Sequence, residues 1–176
     1  MGERERMHPR RLLGWSLALG GLAGALATTL LIEPRPRLVW NASASAPVGL
    51  YAVGDGAALA RGDMVIARVP IAFRMLAARR HYLPANVPLV KRVAAASGDK
   101  VCAAGARVTV NGRLAARRLD RDGAGRPMPG WSGCALLGDG EFFLLMADSP
   151  ASFDGRYFGV SEASDIVGKA RLLWSR

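Results

Sequence analysis

Short apolar segments separated by glycine turns dominate the chain beyond its first forty residues. Two of them, Arg107–Val110 and Arg113–Ala116, flank Asn111-Gly112, a dipeptide typical of the type I′ hairpin turn because both residues tolerate positive φ. Ile71–Arg80 has the apolar spacing of a short helix. Four further segments are rich in valine and leucine and have the length of strands: Met64–Val69, Leu89–Ala94, Glu141–Met146 and Ile166–Trp174. The pattern predicts a mainly β domain, an antiparallel sheet with one short helix.

A different pattern precedes this domain. No charged residue occurs between Leu12 and Ile32, and a helix of this length spans a hydrocarbon core of about 30 Å. The stretch is longer than the apolar region of a cleaved signal peptide, which favours a retained anchor. Arg10 and Arg11 directly precede it, and basic residues mark the end of an anchor that stays in the cytoplasm.

These features predict a single-pass protein of the inner (cytoplasmic) membrane whose larger part, beyond the anchor, is exported to the periplasm. Membrane lipid would contact the anchor. Two prolines between Glu33 and Leu38 suit an extended tether that rises from the membrane. We expect a cytoplasmic amino terminus at 1–11, a transmembrane anchor at 12–32, a tether at 33–40 and a periplasmic domain at 41–176.

The charge of the chain changes this picture little. Its formal net charge is +10 at pH 7, which would suit a nucleic-acid partner. The basic residues are nevertheless spread along the chain and do not form a run interleaved with aromatic residues. We therefore expect no nucleic-acid partner.

Most basic residues are arginines, and the few lysines are Lys91, Lys100 and Lys169. The chain therefore offers few candidates for a lysine that acts as a base.

Export makes the cysteines informative, because an oxidising compartment permits disulfides. Cys102 and Cys134 are the only two in the sequence. A bridge between them would close a loop of about thirty residues and stabilise the fold by roughly 3 kcal/mol. Two separate buried thiols are the alternative. Segment 119–133, dense in Gly, Pro and Asp, is predicted to be an exposed loop inside this insert at about 102–134.

Histidine is a poor candidate for a catalytic base in this chain. Of the two histidines, His8 precedes the predicted anchor and lies on the side opposite the exported domain. His81 follows the predicted helix among arginines, where a solvated surface histidine is the simpler interpretation. A Ser–His–Asp triad and a His/Cys metal site are therefore both poorly supported.

Lysine can replace histidine as a base if burial lowers its pKa. Lys91 lies in an apolar strand whose alternation points Leu89, Lys91 and Val93 to one face. If that face is the core, Lys91 is desolvated and Arg92 points to solvent. The alternative is an edge-strand lysine that faces water.

Two serines are candidate nucleophiles. Ser43 and Ser45 lie among small residues just beyond the predicted tether, where a polypeptide substrate has room to approach. Pro47 and Gly49 would fix a turn that presents a side chain. From composition alone the same segment could be a Ser/Ala-rich linker.

The order of several motifs adds a resemblance to these local signals. The segment from Ser43 to Tyr51 reads Ser-x-Ser-x-Pro-x-Gly-Leu-Tyr. The later motifs are Gly62–Val65, Lys91–Val93, Ser97–Val101, Ser152–Gly159 and Ile166–Ala170. Taken in this order, they resemble the bacterial type I signal peptidase family. The ending Gly49-Leu50-Tyr51 and the compact length resemble its conjugative-transfer branch, known as the TraF type.

The resemblance implies a role for each candidate residue. Ser45 matches the nucleophile and Lys91 the general base, while Ser43 matches a hydroxyl that joins the Ser45 backbone N–H in the oxyanion hole. No metal or cofactor is required. Three further residues match the support of the site: Ser152, which orients the lysine, and the pair Asp154 and Arg156, which holds the wall beside it.

One departure from the family pattern concerns the nucleophile motif. General signal peptidases mostly place Met after the serine and keep two residues between the serine and the proline, whereas Ala46 alone intervenes here.

The resemblance therefore implies a Ser–Lys endopeptidase of a conjugation or type IV secretion system. Its expected substrate is an exported, pilin-like precursor with small residues before the cleavage site. Either water or the pilin's own amine, giving cyclisation, could accept the acyl group. The alternatives are a general type I signal peptidase and a non-catalytic periplasmic scaffold of a secretion complex.

Overall fold

The structure is a computed structural model that describes residues 9–31, 36–56 and 58–176. The chain divides into two compact units, 1–35 and 36–176. In the first unit, helix α1 runs over Pro9–Leu31. Among the described residues, no helix is both long enough and apolar enough to cross a membrane. Ile32 of the predicted anchor, residues 33–35 of the tether and residues 1–8 of the amino terminus lie outside the described residues.

The second unit contains two antiparallel sheets. Its strands are β1 (Leu38–Asn41), β2 (Gly49–Val53), β3 (Met64–Ala67), β4 (Leu89–Ala95), β5 (Lys100–Ala104), β6 (Arg107–Val110), β7 (Arg113–Arg117), β8 (Gly133–Leu136), β9 (Glu141–Leu145), β10 (Ser161–Glu162) and β11 (Ile166–Ser175). The larger sheet has seven strands in the order β1-β2-β11-β3-β4-β9-β10, and the smaller has four in the order β7-β6-β5-β8. The predicted mainly β, antiparallel class is confirmed.

Among the described residues of this unit, three helical segments accompany the sheets. Helix α2 covers Ile71–Arg79 and confirms the predicted short helix. Helix α3 covers Gly155–Phe158, and Ala163–Asp165 forms a 3₁₀ turn. The expectation of one short helix is therefore too low. Both additional segments are much shorter than the stretch of about 11–18 residues over which a helical pattern of apolar residues can be recognised.

Strand β1 lies where the sequence predicts the tether. Residues 38–40 form most of it, and it pairs along its length with β2, from Leu38 opposite Ala52 to Asn41 opposite Gly49. This hairpin begins the domain and leaves residues 42–48 as the connection between its strands. The two serines of interest therefore lie in a hairpin loop and not in a free linker.

The smaller sheet confirms the hairpin and the disulfide. Asn111 and Gly112 have φ values of 49° and 77° in the turn between β6 and β7, as the Asn-Gly signal predicts. Cys102 of β5 lies opposite Cys134 of β8, and the two sulfurs are bonded. The bridge therefore fastens an edge strand to the centre of this sheet.

The hydrophobic core has one cluster on each face of the strand pair β3–β4 and a third beneath the smaller sheet. One face packs Val65, Ala67, Leu89 and Val93 against Leu144 and Phe158. The opposite face packs Ile66 and Val90 with Ala46, Tyr51, Met146 and Ala170. The third cluster joins the smaller sheet to Phe143 and Leu145 of β9. Ala46 thus attaches the 42–48 loop directly to the core.

Candidate active site

Lys91 is buried between two serine hydroxyls. Its side chain lies on β4, opposite Val65 of β3, and the residue is 4% exposed. Its Nζ lies 2.9 Å from Ser45 Oγ and 2.9 Å from Ser152 Oγ. Arg92, the next residue, is exposed. The alternation predicted from the sequence therefore holds, and the interpretation of Lys91 as a water-facing edge lysine is wrong.

Burial changes the acid–base behaviour of Lys91. Desolvation is the main reason that the pKa of its ammonium group is lowered from 10.5 to about 8. The negative charge of Asp154 raises this pKa by a smaller amount, and the positive charge of Arg156 lowers it slightly. A larger fraction of Lys91 is consequently neutral near physiological pH than for a lysine in water. A neutral amine at hydrogen-bond distance from a hydroxyl can take its proton.

The second component of the site is the serine loop, residues 42–48. Ser45 Oγ lies 3.0 Å from Ser43 Oγ, and the Ser45 backbone N–H donates to Ser43 Oγ over 3.3 Å. Ser43 is exposed and Ser45 is half-buried. The structure thus brings one backbone donor and one hydroxyl donor together beside the Ser45 hydroxyl, an arrangement that can stabilise an oxyanion.

Sequence reasoning gave no role to Asn41, although its side chain binds the backbone of three residues of the serine loop. Its Nδ2 lies 2.9 Å from the carbonyl oxygen of Ser43, 3.2 Å from that of Ala46 and 3.1 Å from that of Pro47. Its Oδ1 accepts a hydrogen bond from the Ser43 backbone N–H over 3.1 Å. Tyr51 adds a bond from its hydroxyl to the Pro47 carbonyl at 2.8 Å. An asparagine at a strand end before turn residues was the available signal.

The segment that comes after β9 in the chain forms the wall of the site on the other side of Lys91. Ser152 is buried there, and Asp154 caps helix α3 by accepting from the Arg156 backbone N–H. Asp154 Oδ2 accepts from the Met146 N–H over 3.1 Å, and Arg156 Nη2 donates to the Met146 carbonyl over 2.7 Å. The pair therefore fixes the end of β9 and the start of α3, the two ends of the segment that carries Ser152.

An open cleft of about 440 Å³ contains these groups. Its lining includes the hydroxyls of Ser43, Ser45 and Ser152 and the amine of Lys91. The remaining wall is largely apolar and includes Leu83, Leu89, Val90, Leu119, Met128 and Phe153. A cleft of this size and composition fits an extended polypeptide with small or apolar side chains.

Residues 119–131, termed the strap, form one side of the cleft. Most of the strap is exposed, as predicted, yet Leu119 and Met128 line the cleft. It is held to the region after α2 by a bond from Tyr82 to Asp122 and by one of 2.8 Å from Arg80 to the Pro127 carbonyl. Its contribution to the cleft was missed because these partners lie far apart in sequence. His81 is exposed and is not among the residues that line the cleft.

Comparison with known proteins agrees with the order of the motifs in the sequence. The chain belongs to the signal peptidase family, peptidase S26, whose sequence model matches residues 10–175. Within that family it resembles the TraF branch. It is 36% identical over 146 residues to a plasmid transfer protein TraF of Escherichia coli, covering 76% of this chain and 82% of the relative. A probable conjugal transfer protein TraF of Sinorhizobium fredii (strain NBRC 101917 / NGR234) is 36% identical over 142 residues, covering 74% and 73%.

Two further matches extend the comparison. A second plasmid transfer protein TraF of Escherichia coli is 37% identical over 136 residues, covering 72% of this chain and 76% of the relative. The crystal structure of a signal peptidase I from Enterococcus faecalis V583 matches with 19% identity and a TM-score of 0.38, covering 65% of this chain and 98% of the other. The family and branch expected from the motifs are thus confirmed by sequence.

Proposed function

We propose that the chain is a Ser–Lys endopeptidase that cleaves an exported, pilin-like precursor during conjugation. The observation that carries this proposal is the 2.9 Å separation between the Ser45 hydroxyl and the buried amine of Lys91. Membership of the signal peptidase family supports the peptidase activity. The relatives named for plasmid or conjugal transfer support the conjugative setting.

The proposed chemistry has two halves. Neutral Lys91 takes the Ser45 proton while Ser45 Oγ attacks the carbonyl carbon of the scissile peptide, and the Ser43 hydroxyl with the Ser45 N–H stabilises the oxyanion. The Lys91 ammonium then donates its proton to the leaving amine as the peptide C–N bond breaks. In the second half, water or an amine of the pilin itself attacks the acyl-serine while neutral Lys91 takes its proton. Lys91 then returns this proton to Ser45 Oγ as the ester bond breaks. The hydrogen bond from Lys91 to Ser152 holds Nζ in place through both halves.

Exported precursors with small residues before the cleavage site suit the cleft. Ser43 and Ala44 contribute only small side chains to the lining near Ser45, so the substrate backbone can approach closely. The expected precursor has alanine-like residues at the first and third positions before the cut. Components of a conjugation or type IV secretion system would then receive the mature product.

The decisive experiment is cleavage of a candidate precursor in cells that contain the full chain. The precursor is a pilin-like protein encoded beside plasmid-transfer functions, and a general secretory precursor serves as the competing substrate. Wild-type chain and Ser164→Ala, which changes an exposed serine outside the cleft, are expected to cleave the pilin-like precursor. Ser45→Ala is expected to accumulate at the same level without cleaving it. Equal cleavage of both precursors would favour a general signal peptidase, and unchanged function of Ser45→Ala would favour a scaffold.

The proposal places the enzyme at the inner membrane with its catalytic domain in the periplasm. The charge-free stretch between Leu12 and Ile32 and the arginines before it support an anchor. Alkaline extraction of membranes that contain the full chain tests this anchor. We expect the chain to stay in the membrane pellet, and its release into the supernatant would contradict the anchor. We also expect protease added to spheroplasts to digest the domain.

A further inference from the structure

The serine loop has to hold two reacting groups without the support of regular structure. Residues 42–48 connect β1 to β2 and belong to neither strand. Ser45 lies in the middle of this loop and must stay within hydrogen-bond distance of Lys91 on another strand. Displacing a reacting group by about 1 Å can lower a rate about 10²-fold. Contacts other than the pairing of regular strands must therefore fix the course of the loop.

The ends of the loop are fixed by the backbone. Asn41 pairs with Gly49 at the last position of the β1–β2 ladder. Gly49 lies so close to β11 that a Cβ atom on it would be 2.0 Å from the Trp174 carbonyl oxygen. These contacts close the hairpin, but they do not reach Ser43 or Ser45.

The side chain of Asn41 supplies what the backbone pairing lacks. The residue is 7% exposed, and its amide nitrogen lies within 3.2 Å of three loop carbonyl oxygens. An amide carries two hydrogens, so at least one of them is shared between two of these acceptors. The amide oxygen accepts from the Ser43 N–H. One side chain thus contacts the loop on both sides of Ser45 and directs the backbone of Ser43.

We propose that Asn41 is a positioning residue that sets the geometry of Ser43 and Ser45 for attack on the substrate. The proposal rests on the function proposed above, because it concerns the rate of the same reaction. Asn41 also lines the cleft, but this role needs no contact with the substrate or with Lys91. It acts through the loop backbone, where its amide binds three carbonyl oxygens and one N–H.

Two variants and one matched control test this role. Asn41→Asp keeps the size and the acceptor for the Ser43 N–H, but it turns an oxygen towards three carbonyl oxygens. Asn41→Ala removes all four contacts without adding a charge. Tyr51→Phe is the control, because it removes a single bond to the same loop, at Pro47, and leaves the contacts to Ser43 intact.

The assay uses the purified full chain and a synthetic peptide with alanine at the first and third positions before the cut. Rates are taken on the high-pH plateau and corrected for the folded fraction, measured by near-ultraviolet circular dichroism. Both Asn41 variants are expected to lower kcat about 10²-fold with KM within about threefold of wild type. Tyr51→Phe should retain kcat within about threefold of wild type.

A double variant separates positioning from a general loss of stability. If Asn41 acts through the loop, Asn41→Ala combined with Ser43→Ala should be little slower than the slower single variant, because both changes disrupt the same oxyanion donors. The proposal would be overturned if the falls in kcat of the two single variants multiply in the double variant, or if the corrected kcat of Asn41→Ala is within about threefold of wild type. The proposed function would stand in both cases, provided that the wild-type chain cleaves the peptide. Absence of cleavage by the wild-type chain would remove the proposed function and this inference with it.

Discussion

Arg156 binds both carboxylate oxygens of Asp154, with Nε 2.8 Å from Oδ1 and Nη2 3.1 Å from Oδ2. The two residues are 1% and 0% exposed, so the pair is fully enclosed. Arg156 also donates to the carbonyl of Pro150, and both side chains bind the backbone of Met146. The pair thus holds in place the segment that positions Ser152 beside Lys91.

Breaking this ion pair should destabilise the domain. Asp154→Asn leaves a buried guanidinium without a counter-charge, and a buried charge that loses its partner costs about 3–5 kcal/mol. Chemical unfolding of the wild type and the variant measures the difference in the free energy of unfolding. Arg61→Ala is the control, because the Arg61 side chain is 57% exposed in its pair with Asp99 and ion pairs at the surface contribute about 0–1 kcal/mol. Equal effects of the two changes would contradict a structural role for the buried pair.

The identity of the base is tested by Lys91→Arg. Arginine stays protonated at any working pH, so the variant should lose cleavage although it retains the charge. Lys91→Ala should be inactive for lack of a base. Lys100→Arg, an exposed position, should cleave the precursor at the wild-type rate. Substantial turnover by purified Lys91→Arg would be incompatible with the proposed dyad.

The contribution of Ser43 is tested by Ser43→Ala. If its hydroxyl donates to the developing oxyanion, kcat should fall by about 10²–10³ with little change in KM, since the bond forms chiefly in the transition state. Steady-state kinetics with the alanine-containing peptide gives both constants. An unchanged kcat would return Ser43 to the role of a loop residue.

The pH profile tests the environment of Lys91. Because burial lowers its pKa to about 8, log(kcat/KM) should rise with pH and level off above that value. A solvent-exposed lysine would place the limb near its ordinary pKa of about 10.4. His81→Ala should leave the profile unchanged. A limb at about 6.5 that disappears together with activity in His81→Ala would indicate a histidine base instead.

The same lowered pKa predicts how stability depends on pH. Between about pH 8 and 10.5, Lys91 binds fewer protons in the folded chain than in the unfolded chain, so its contribution to the free energy of unfolding rises with pH. Below this window both states are protonated, and above it both are neutral. Unfolding of wild type and Lys91→Met at several pH values across the window isolates this group. A parallel dependence in the two proteins would show that Lys91 is not desolvated.

Much of the larger sheet was predictable because its strands are encoded by local alternation. Leu89–Ala95 is the clearest case, since the alternation that buries Leu89 and Val93 also buries Lys91. The Asn111-Gly112 turn was equally local, because it depends on two residues that accept positive φ. The order of the motifs, in turn, was sufficient to predict the family.

Other parts of the site could not be predicted because their determinants are distant or lie in the backbone. The strap forms a wall of the cleft through bonds such as Tyr82 to Asp122, forty positions apart. Helix α3 depends on the capping carboxylate of Asp154 and has only four residues. The contacts of Asn41 are mostly to carbonyl groups, whose directions no pattern of side chains reveals.

The position of β11 has a consequence for how the site is assembled. The hairpin β1–β2 carries the serines, whereas β4 carries Lys91 and pairs with β3. In the larger sheet β2 and β3 do not neighbour each other, because β11 lies between them and pairs with both. This strand follows the other described strands in the chain, so it is synthesised after them. The strands that carry the serines and the lysine are therefore not joined in one sheet until β11 is inserted, and the proposed catalytic pair is not assembled on the nascent polypeptide before then.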